Sequence, residues 1–463
     1  MKIRLLYLLT SLLIAGNAIG QTLDDYLVIA AENNPNLKAK YFQYQAALQR
    51  VPQVGSLPDP QLGFSFFIMP MERYMGDQVG TISLMQMFPW FGTLGAAKTE
   101  MTFMAKAKFE EFNETKSMLF YEVRANWHAL QLLEKEIAIT KENIELLKTM
   151  EQIALTRFKS GGQSGGGSMD MKGGNPKSNS SSGSGMGGMN MSGQNTTANQ
   201  PINKSTNQQI STSNSGSMID VLRVQMEINE LQNNLALLED SKIPITARFN
   251  QLLNRDRNEP ILLSDTIIAA SMPISLKEIP DSIKNNNPML KMLEQEETAY
   301  IAQGKMNQKM GLPMIGIGLQ YDIFRPRDNS ESMMNGRNML MPMATVTIPL
   351  WRKKYTASVQ ESDFMRQSVM EQKHDVSNQL MVNYEEALKD YKDAERRVKL
   401  YQDQTSLANQ ALNILIAQYT TEGSQFEEVL RMQQQLLDYR LKYLDALIDG
   451  NIAVAMMERL MGR

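Results

Sequence analysis

Cysteine is absent from the 463-residue chain, and histidine occurs only twice. Those shortages exclude disulfide frameworks, thiolate nucleophiles and nearly every zinc-site spacing. No stretch beyond the N-terminal residues offers ~18 consecutive apolar positions, so no helical membrane span is predicted. Neither sign of charge is in excess: 47 Lys and Arg face 50 Asp and Glu, a net charge of −3 that excludes a basic nucleic-acid footprint over the whole chain. No Gly-rich phosphate loop, nucleophile elbow or clustered set of carboxylates appears, and no enzyme is expected. What the chain has in excess is methionine, 35 residues. With 42% hydrophobic and 21% charged residues it is too apolar to be disordered throughout. Binding, transport or scaffolding remains.

Residues 1–20, MKIRLLYLLTSLLIAGNAIG, combine the cations Lys2 and Arg4, an apolar run from Leu5 to Ile14, and the small-residue pattern Ala18-x-Gly20. This reads as a secretory signal peptide, too short in its apolar part to span a bilayer. The mature protein is expected to be exported, and to cross a membrane, if at all, with strands.

The remaining chain repeats itself once. Asn33-Asn34-Pro35-Asn36-Leu37 recurs as Asn286-Asn287-Pro288-Met289-Leu290, with Asn34 and Asn287 placed to cap a helix that Pro35 and Pro288 open. Leu57-Pro58 recurs as Leu312-Pro313, and Pro89-Trp90 has a looser counterpart in Pro349-Leu350-Trp351. Residues 21–255 and 256–463 are read as two copies of one unit, with a Pro-containing linker near 256–280.

Within each copy the hydrophobic period switches between helix and strand. Leu62, Phe64, Phe66 and Ile68 alternate with smaller or polar residues, as do Ile315, Ile317, Leu319 and Tyr321. Strands are expected at about 60–69, 80–89, 313–324 and 339–350, forming two hairpins whose apolar face suits either a membrane barrel wall or one side of a soluble sandwich. Two isolated hairpins are too little sheet to be stable alone. A heptad seam runs through Val376, Leu380, Tyr384, Ala387, Tyr391, Ala394 and on to Leu412, Leu415 and Tyr419. The first copy matches it from Leu119 and Val123 through Leu147, Ala154 and Phe158. Pro-free helices are expected over 95–158 and 352–421, each followed by a return helix, and their length and period argue for coiled coil. The expected fold is therefore mainly α with a small β part: internally duplicated, with four long helical segments and two β-hairpins.

Taken in order, NNPNL and NNPML, LPDPQLGF with MFPWFGTL, RFKSGG leading to MIDVLRVQ, and QYTTEGSQFEEVLRMQQQLL make the chain resemble a TolC-type outer-membrane efflux protein. The resemblance covers residues 22–463 apart from an insertion at about 160–217. It implies a homotrimer in outer-membrane lipid, in which a 12-stranded β-barrel continues into a 12-helix α-barrel that extends far into the periplasm. It also implies a periplasmic adaptor and an inner-membrane pump of the resistance-nodulation-division type. Elementary physics agrees with three copies. Four strands cannot close, two chains would give eight strands with a filled interior, and three leave an aqueous lumen.

By the same resemblance, the turns between long and return helices are periplasmic tips that meet the adaptor: Arg157–Gly161 rejoining at Ser217, and Tyr419–Gly423. Asp220 and Glu428, just past each tip, match acids that ring a closed aperture, where three copies would form a cation-attracting mouth. Arg431, with Arg223 in the parallel place, stands where the family can carry a further acid, and Tyr419 completes the gate candidates. The plainer reading is that Asp220 and Glu428 merely favour the first turn of a helix.

The insertion is Gly, Ser, Asn and Thr with Met169, Met171, Met186, Met189 and Met191. Such composition cannot bury a core, and disorder is expected. Its M-x-M and M-x-x-M-x-M spacings put several thioethers within reach of one ion, and thioether is a soft ligand suited to Cu(I) and Ag(I). The alternative is a drifting low-complexity linker. Further methionines crowd the hairpins at 85, 87, 339, 341 and 343, while Met69, Met71, Met75, Met333 and Met334 are expected in extracellular loops. His128 and His374 read as surface or packing residues, and Trp90 and Trp351 as an interface belt. The expected function is the passive exit duct of a tripartite efflux system, most simply for monovalent copper or silver, with no cofactor required beyond transient binding of those ions. A drug, solvent, peptide or type I secretion duct of the same fold stays open, as does a periplasmic Met-rich metal buffer without a pore.

Overall fold

The computed structural model describes residues 22–161, 218–263, 266–272, 274–328, 333–422 and 425–463. Met169, Met171, Met186, Met189, Met191, Ser217 and Gly423 lie outside the described residues. In chain order the elements are α1 (Leu23–Asn33), α2 (Pro35–Gly55), β1 (Gln61–Arg73), β2 (Gly76–Phe88), α3 (Thr93–Gly161), α4 (Met218–Leu252), α5 (Ile279–Asn286), α6 (Pro288–Met310), β3 (Met314–Arg325), β4 (Met339–Thr347), α7 (Arg352–Glu422) and α8 (Phe426–Leu460). The second half repeats the first, element for element.

The duplicated Asn-Pro pairs do what their chemistry suggests. The Asn34 N–H closes α1 on the Ala30 carbonyl at 2.9 Å, and its Oδ1 accepts from the Leu37 N–H at 3.1 Å to open α2. Asn287 closes α5 on the Ile283 carbonyl at 3.0 Å and accepts from Met289 and Leu290 N–H at 3.0 and 3.3 Å to open α6. Each side chain has a further task. Asn34 Nδ2 donates to the Leu252 carbonyl, and Asn287 Nδ2 to the Leu460 carbonyl, both at 2.9 Å. One buried amide thus satisfies orphan groups at the start of one helix and the end of another.

α3 has 69 residues and α7 has 71, while α4 and α8 have 35 each. Positions on the predicted heptad seams are buried at Leu119, Val123, Leu130, Leu133, Ile137, Leu147 and Ala154 in α3, and at Leu380, Tyr384, Ala387, Ala394, Ala408, Leu412 and Tyr419 in α7. Phe158 departs from the expectation: it is 43% exposed, because the buried stripe of α3 has run out one turn earlier. Two hydrophobic clusters, one per repeat, anchor the helices. In the first, the rings of Tyr26, Trp127 and Phe249 meet with centroids 5.2–6.0 Å apart. The second gathers Ile279, Ile283, Tyr384, Met457 and Met461. The linker is pinned between them: the Leu262 N–H donates to Tyr26 Oη at 3.1 Å, and the Tyr384 hydroxyl donates to the Leu276 carbonyl at 2.8 Å.

The described residues form two compact units. One takes residues up to Ile139 with Ala236–Gln404 and Tyr439–Arg463; the other takes Thr140–Leu235 and Thr405–Asp438. Both draw on both repeats, so duplication and compactness divide the chain differently.

The first unit carries the sheet. Its order is β1-β2-β3-β4, antiparallel throughout, so β2 and β3 join two hairpins that the sequence separates by more than two hundred residues. Register fixes the faces: Leu62 opposes Leu84, Leu84 opposes Leu319, and Leu319 opposes Pro342. That face presents Leu62, Phe64, Phe66, Ile317, Leu319 and Leu340, all exposed. The first hairpin extends further than expected. β1 runs through Met69 and Met71 to Arg73 past an irregularity between Phe66 and Met71, so these two methionines are strand residues and not loop residues. Met75 occupies the two-residue turn, closed by Gly76 at φ 115°, where a Cβ would stand 2.5 Å from the Arg325 carbonyl oxygen. Met333 lies in the β3–β4 connection and is 95% exposed.

Candidate functional site

The described gate and tip residues fall in the second unit, at the last turns of α3 and α7 and the first two turns of α4 and α8. Arg157, near the end of α3, stacks its guanidinium carbon 4.7 Å from the Tyr419 ring centroid and donates from Nη2 to the Thr420 carbonyl at 2.6 Å. That carbonyl is among the last of α7, where no intrahelical donor exists and the helix end carries partial negative charge, so a cation is favoured there. Tyr419 in turn packs on Phe426 of α8, ring centroids 4.9 Å apart. The phenol is 4% exposed, and its hydroxyl has no hydrogen-bond partner among the described residues. Burial pushes the Tyr419 pKa up and the Asp220 carboxylate adds to the rise, while the Arg157 charge opposes it. Asp220, Tyr419 and Arg157 are therefore one electrostatic group, assembled from α4, α7 and α3.

The two arginines that the sequence placed in parallel are used differently. Arg223 Nη1 reaches Glu427 Oε2 at 2.9 Å, joining the second turn of α4 to the first of α8, whereas Arg431 leans back along its own helix to Glu428 at 3.6 Å. Glu427 is thus a partner that sequence reasoning missed. It neighbours Glu428, and nothing local distinguishes the acid that meets a residue 204 positions away. Gly161 ends α3. Also unforeseen are Gln433 and Asn143, each 5% exposed, joined Nε2 to Oδ1 at 2.6 Å. Beside Tyr419 and Phe426 lies an apolar cavity of about 420 Å³ lined by Leu146, Met150, Ile153 and Ile416.

The first unit holds a carboxylate group that the sequence did not reveal. Arg397 of α7 donates from Nε to Asp393 at 2.7 Å and from Nη2 to Asp449 at 2.8 Å. Burial pushes Asp445 up, with Asp449 adding and Arg397 opposing, and burial pushes Glu136 up, with Asp445 adding. Glu136 belongs to α3 and Asp445 to α8, a pairing of residues some three hundred positions apart. Among the described residues, no group of three or more His, Cys, Asp or Glu could hold a metal ion. His128 hydrogen-bonds Gln131 at 3.1 Å, and burial pushes its pKa down. No described helix is long and apolar enough to cross a membrane. Trp90 and Trp351, at the helix ends of β2 and β4, are 37% and 83% exposed.

No protein-family model matches the chain, and no curated protein matches it. Solved structures do. CusC, described for its transmembrane channel formation, superposes with a TM-score of 0.70 at 12% identity, over 96% of this chain and 92% of its own. The outer-membrane channel OprN gives 0.68 at 13% identity, over 95% and 89%. The outer membrane protein VceC of Vibrio cholerae gives 0.68 at 12%, over 95% of both chains. The described residues have the fold of these outer-membrane channels, mostly helical with a small antiparallel sheet. That is the single-chain fold the sequence resemblance implied.

Proposed function

We propose that the chain is one third of a passive outer-membrane efflux duct of the TolC type, and that its cargo is monovalent copper or silver. The observation that carries the duct is the sheet. Its two outer strands, β1 and β4, have no strand partner on their far sides among the described residues, and one whole face exposes large apolar side chains. In water such a face is an aggregation liability; in lipid it is the favoured surface, but only when every edge is paired. Three copies closing edge to edge satisfy both demands and leave a lumen. The exposed Phe64, Phe66 and Ile68 weigh against a soluble metal buffer.

In this duct the Arg157–Tyr419–Asp220 group and the Arg223–Glu427 pair hold neighbouring helix ends together, and Glu428 with Asp220 brings acid to a mouth that draws cations. An adaptor docks around Arg157, Gly161, Ser217 and Gly423, an inner-membrane pump supplies the energy, and the Met-rich insertion captures ions before entry. Planar-bilayer recordings of the purified protein test the duct: stepwise conductance is expected, and its absence overturns it. The same recordings with Arg157→Ala and Arg223→Ala test the gate, with higher open probability expected in each. Gene deletion tests the cargo. Loss of copper or silver tolerance is expected; unchanged tolerance with altered antibiotic sensitivity overturns the metal reading. Removing residues 162–216 tests the insertion, whose role falls if tolerance is intact.

A further inference from the structure

The face of the sheet opposite the lipid-suited one is small and polar: Gly63 and Ser65 on β1, Thr81 and Ser83 on β2, Gly316, Gly318, Gln320 and Asp322 on β3. Methionines interrupt it, five of them on β2 and β4. In the register Met85 opposes Gly318 and Gly318 opposes Met343; Met87 opposes Gly316; Met341 opposes Gln320; Met339 opposes Asp322. Residues directly opposite share a face, so all five stand on the same side.

The two glycines clear the floor for the sulphurs. A Cβ on Gly316 would stand 2.6 Å from the Met87 sulphur and 3.2 Å from the Met85 sulphur, and one on Gly318 would stand 3.1 Å from the Met85 sulphur. Two thioethers therefore lie over the same glycine. Met343 flanks Gly318 from the other side, two strand spacings or about 10 Å from Met85, a gap that two methionine side chains can close. At the end of the row the Asp322 carboxylate, 3% exposed, accepts from Thr81 at 2.8 Å and Gln320 at 2.9 Å.

Packing does not explain this arrangement. Methionine fills irregular gaps in apolar cores, yet this face is the polar one, and β-branched or aromatic residues suit a strand better. Converging thioethers without His, Cys or a carboxylate cluster are a soft-donor set: they hold Cu(I) or Ag(I) and give little grip on hard divalent ions. We propose that Met85, Met87 and Met343, over the Gly316–Gly318 floor, form a binding site for a soft monovalent cation on the lumenal face of the sheet, with Met341 and Met339 continuing the row toward Asp322. The lumenal placement rests on the duct reading; the site itself does not.

The test uses full-length protein with the insertion methionines removed as competitors (M169L, M171L, M186L, M189L and M191L), titrated with silver nitrate in chloride-free buffer. This parent is expected to bind Ag(I) with sulphur neighbours in X-ray absorption. M85L/M87L/M343L, close in shape and apolarity, is expected to lose at least about tenfold in affinity, the scale on which even outer-shell changes act at metal sites, while bilayer conductance is retained. Equal affinity in parent and triple variant, or no binding by the parent, overturns the site. Should the triple variant not fold, single M85L and M343L decide the question by the same titration. Absent conductance with Ag(I) binding intact overturns the duct and leaves the site standing.

Discussion

At the scale of single residues, Asn34 and Asn287 carry more than their size suggests. Each caps one helix and ties down the last carbonyls of another, so replacing either by alanine removes a cap and strands a buried acceptor. Asn34→Ala and Asn287→Ala are each expected to cost about 2 kcal/mol, read as similar losses in thermal unfolding of the detergent-solubilised protein, since the repeat gives both the same partners. Tyr419 offers the opposite case. Its buried hydroxyl meets no partner among the described residues, so Tyr419→Phe keeps the ring against Arg157 and Phe426 and discards only a desolvation cost. An unchanged or raised melting temperature is expected; a fall shows that the hydroxyl is bonded.

The elements add consequences that no residue shows alone. Asp445 on α8 is pushed up chiefly by burial and further by Asp449, with Arg397 opposing. An acid whose folded pKa lies above its unfolded one holds its proton more tightly when folded, so its contribution to stability falls as pH rises through that interval. Asp445→Asn removes the cost and is expected to raise the melting temperature at pH 8, with the gain shrinking as pH falls toward the ordinary value of 3.8. A gain that persists undiminished at low pH contradicts that electrostatic cause. In the sheet, alternation makes neighbouring substitutions unequal. Leu319→Lys puts a cation on the lipid-suited face at a cost of about 2–4 kcal/mol near a bilayer midplane, whereas Gln320→Lys on the other face is tolerated. Recovery of folded protein from outer membranes separates the two, and equal recovery contradicts the assignment of faces.

For the whole molecule, the governing fact is that the outer edges of β1 and β4 have no strand partner among the described residues. A four-stranded sheet with unpaired edges and an apolar face is stable in lipid only as part of a closed ring. Native mass spectrometry of detergent-extracted protein is expected to report three copies, and a stable monomer overturns the closure argument. The fold shared with CusC, OprN and VceC at 12–13% identity shows how few residues such an architecture fixes.

Sequence alone determined what short-range patterning can encode: the duplicated Asn-Pro caps, the long Pro-free helices, the alternation of the strands, and the methionines at alternate positions late in β2 and early in β4. Each is set by residues a few positions apart, so the pattern is visible along the chain. Tertiary structure alone decided the long-range choices: that β2 pairs with β3, that Arg223 meets Glu427 while Arg431 stays on its own helix, that Glu136 comes to face Asp445, and that Met85 and Met87 share the floor of Gly316 beside Met343. Those contacts depend on strand register and on the rotation of helices about their axes. No local signal specifies either, and a shift of one residue would send each side chain to another partner.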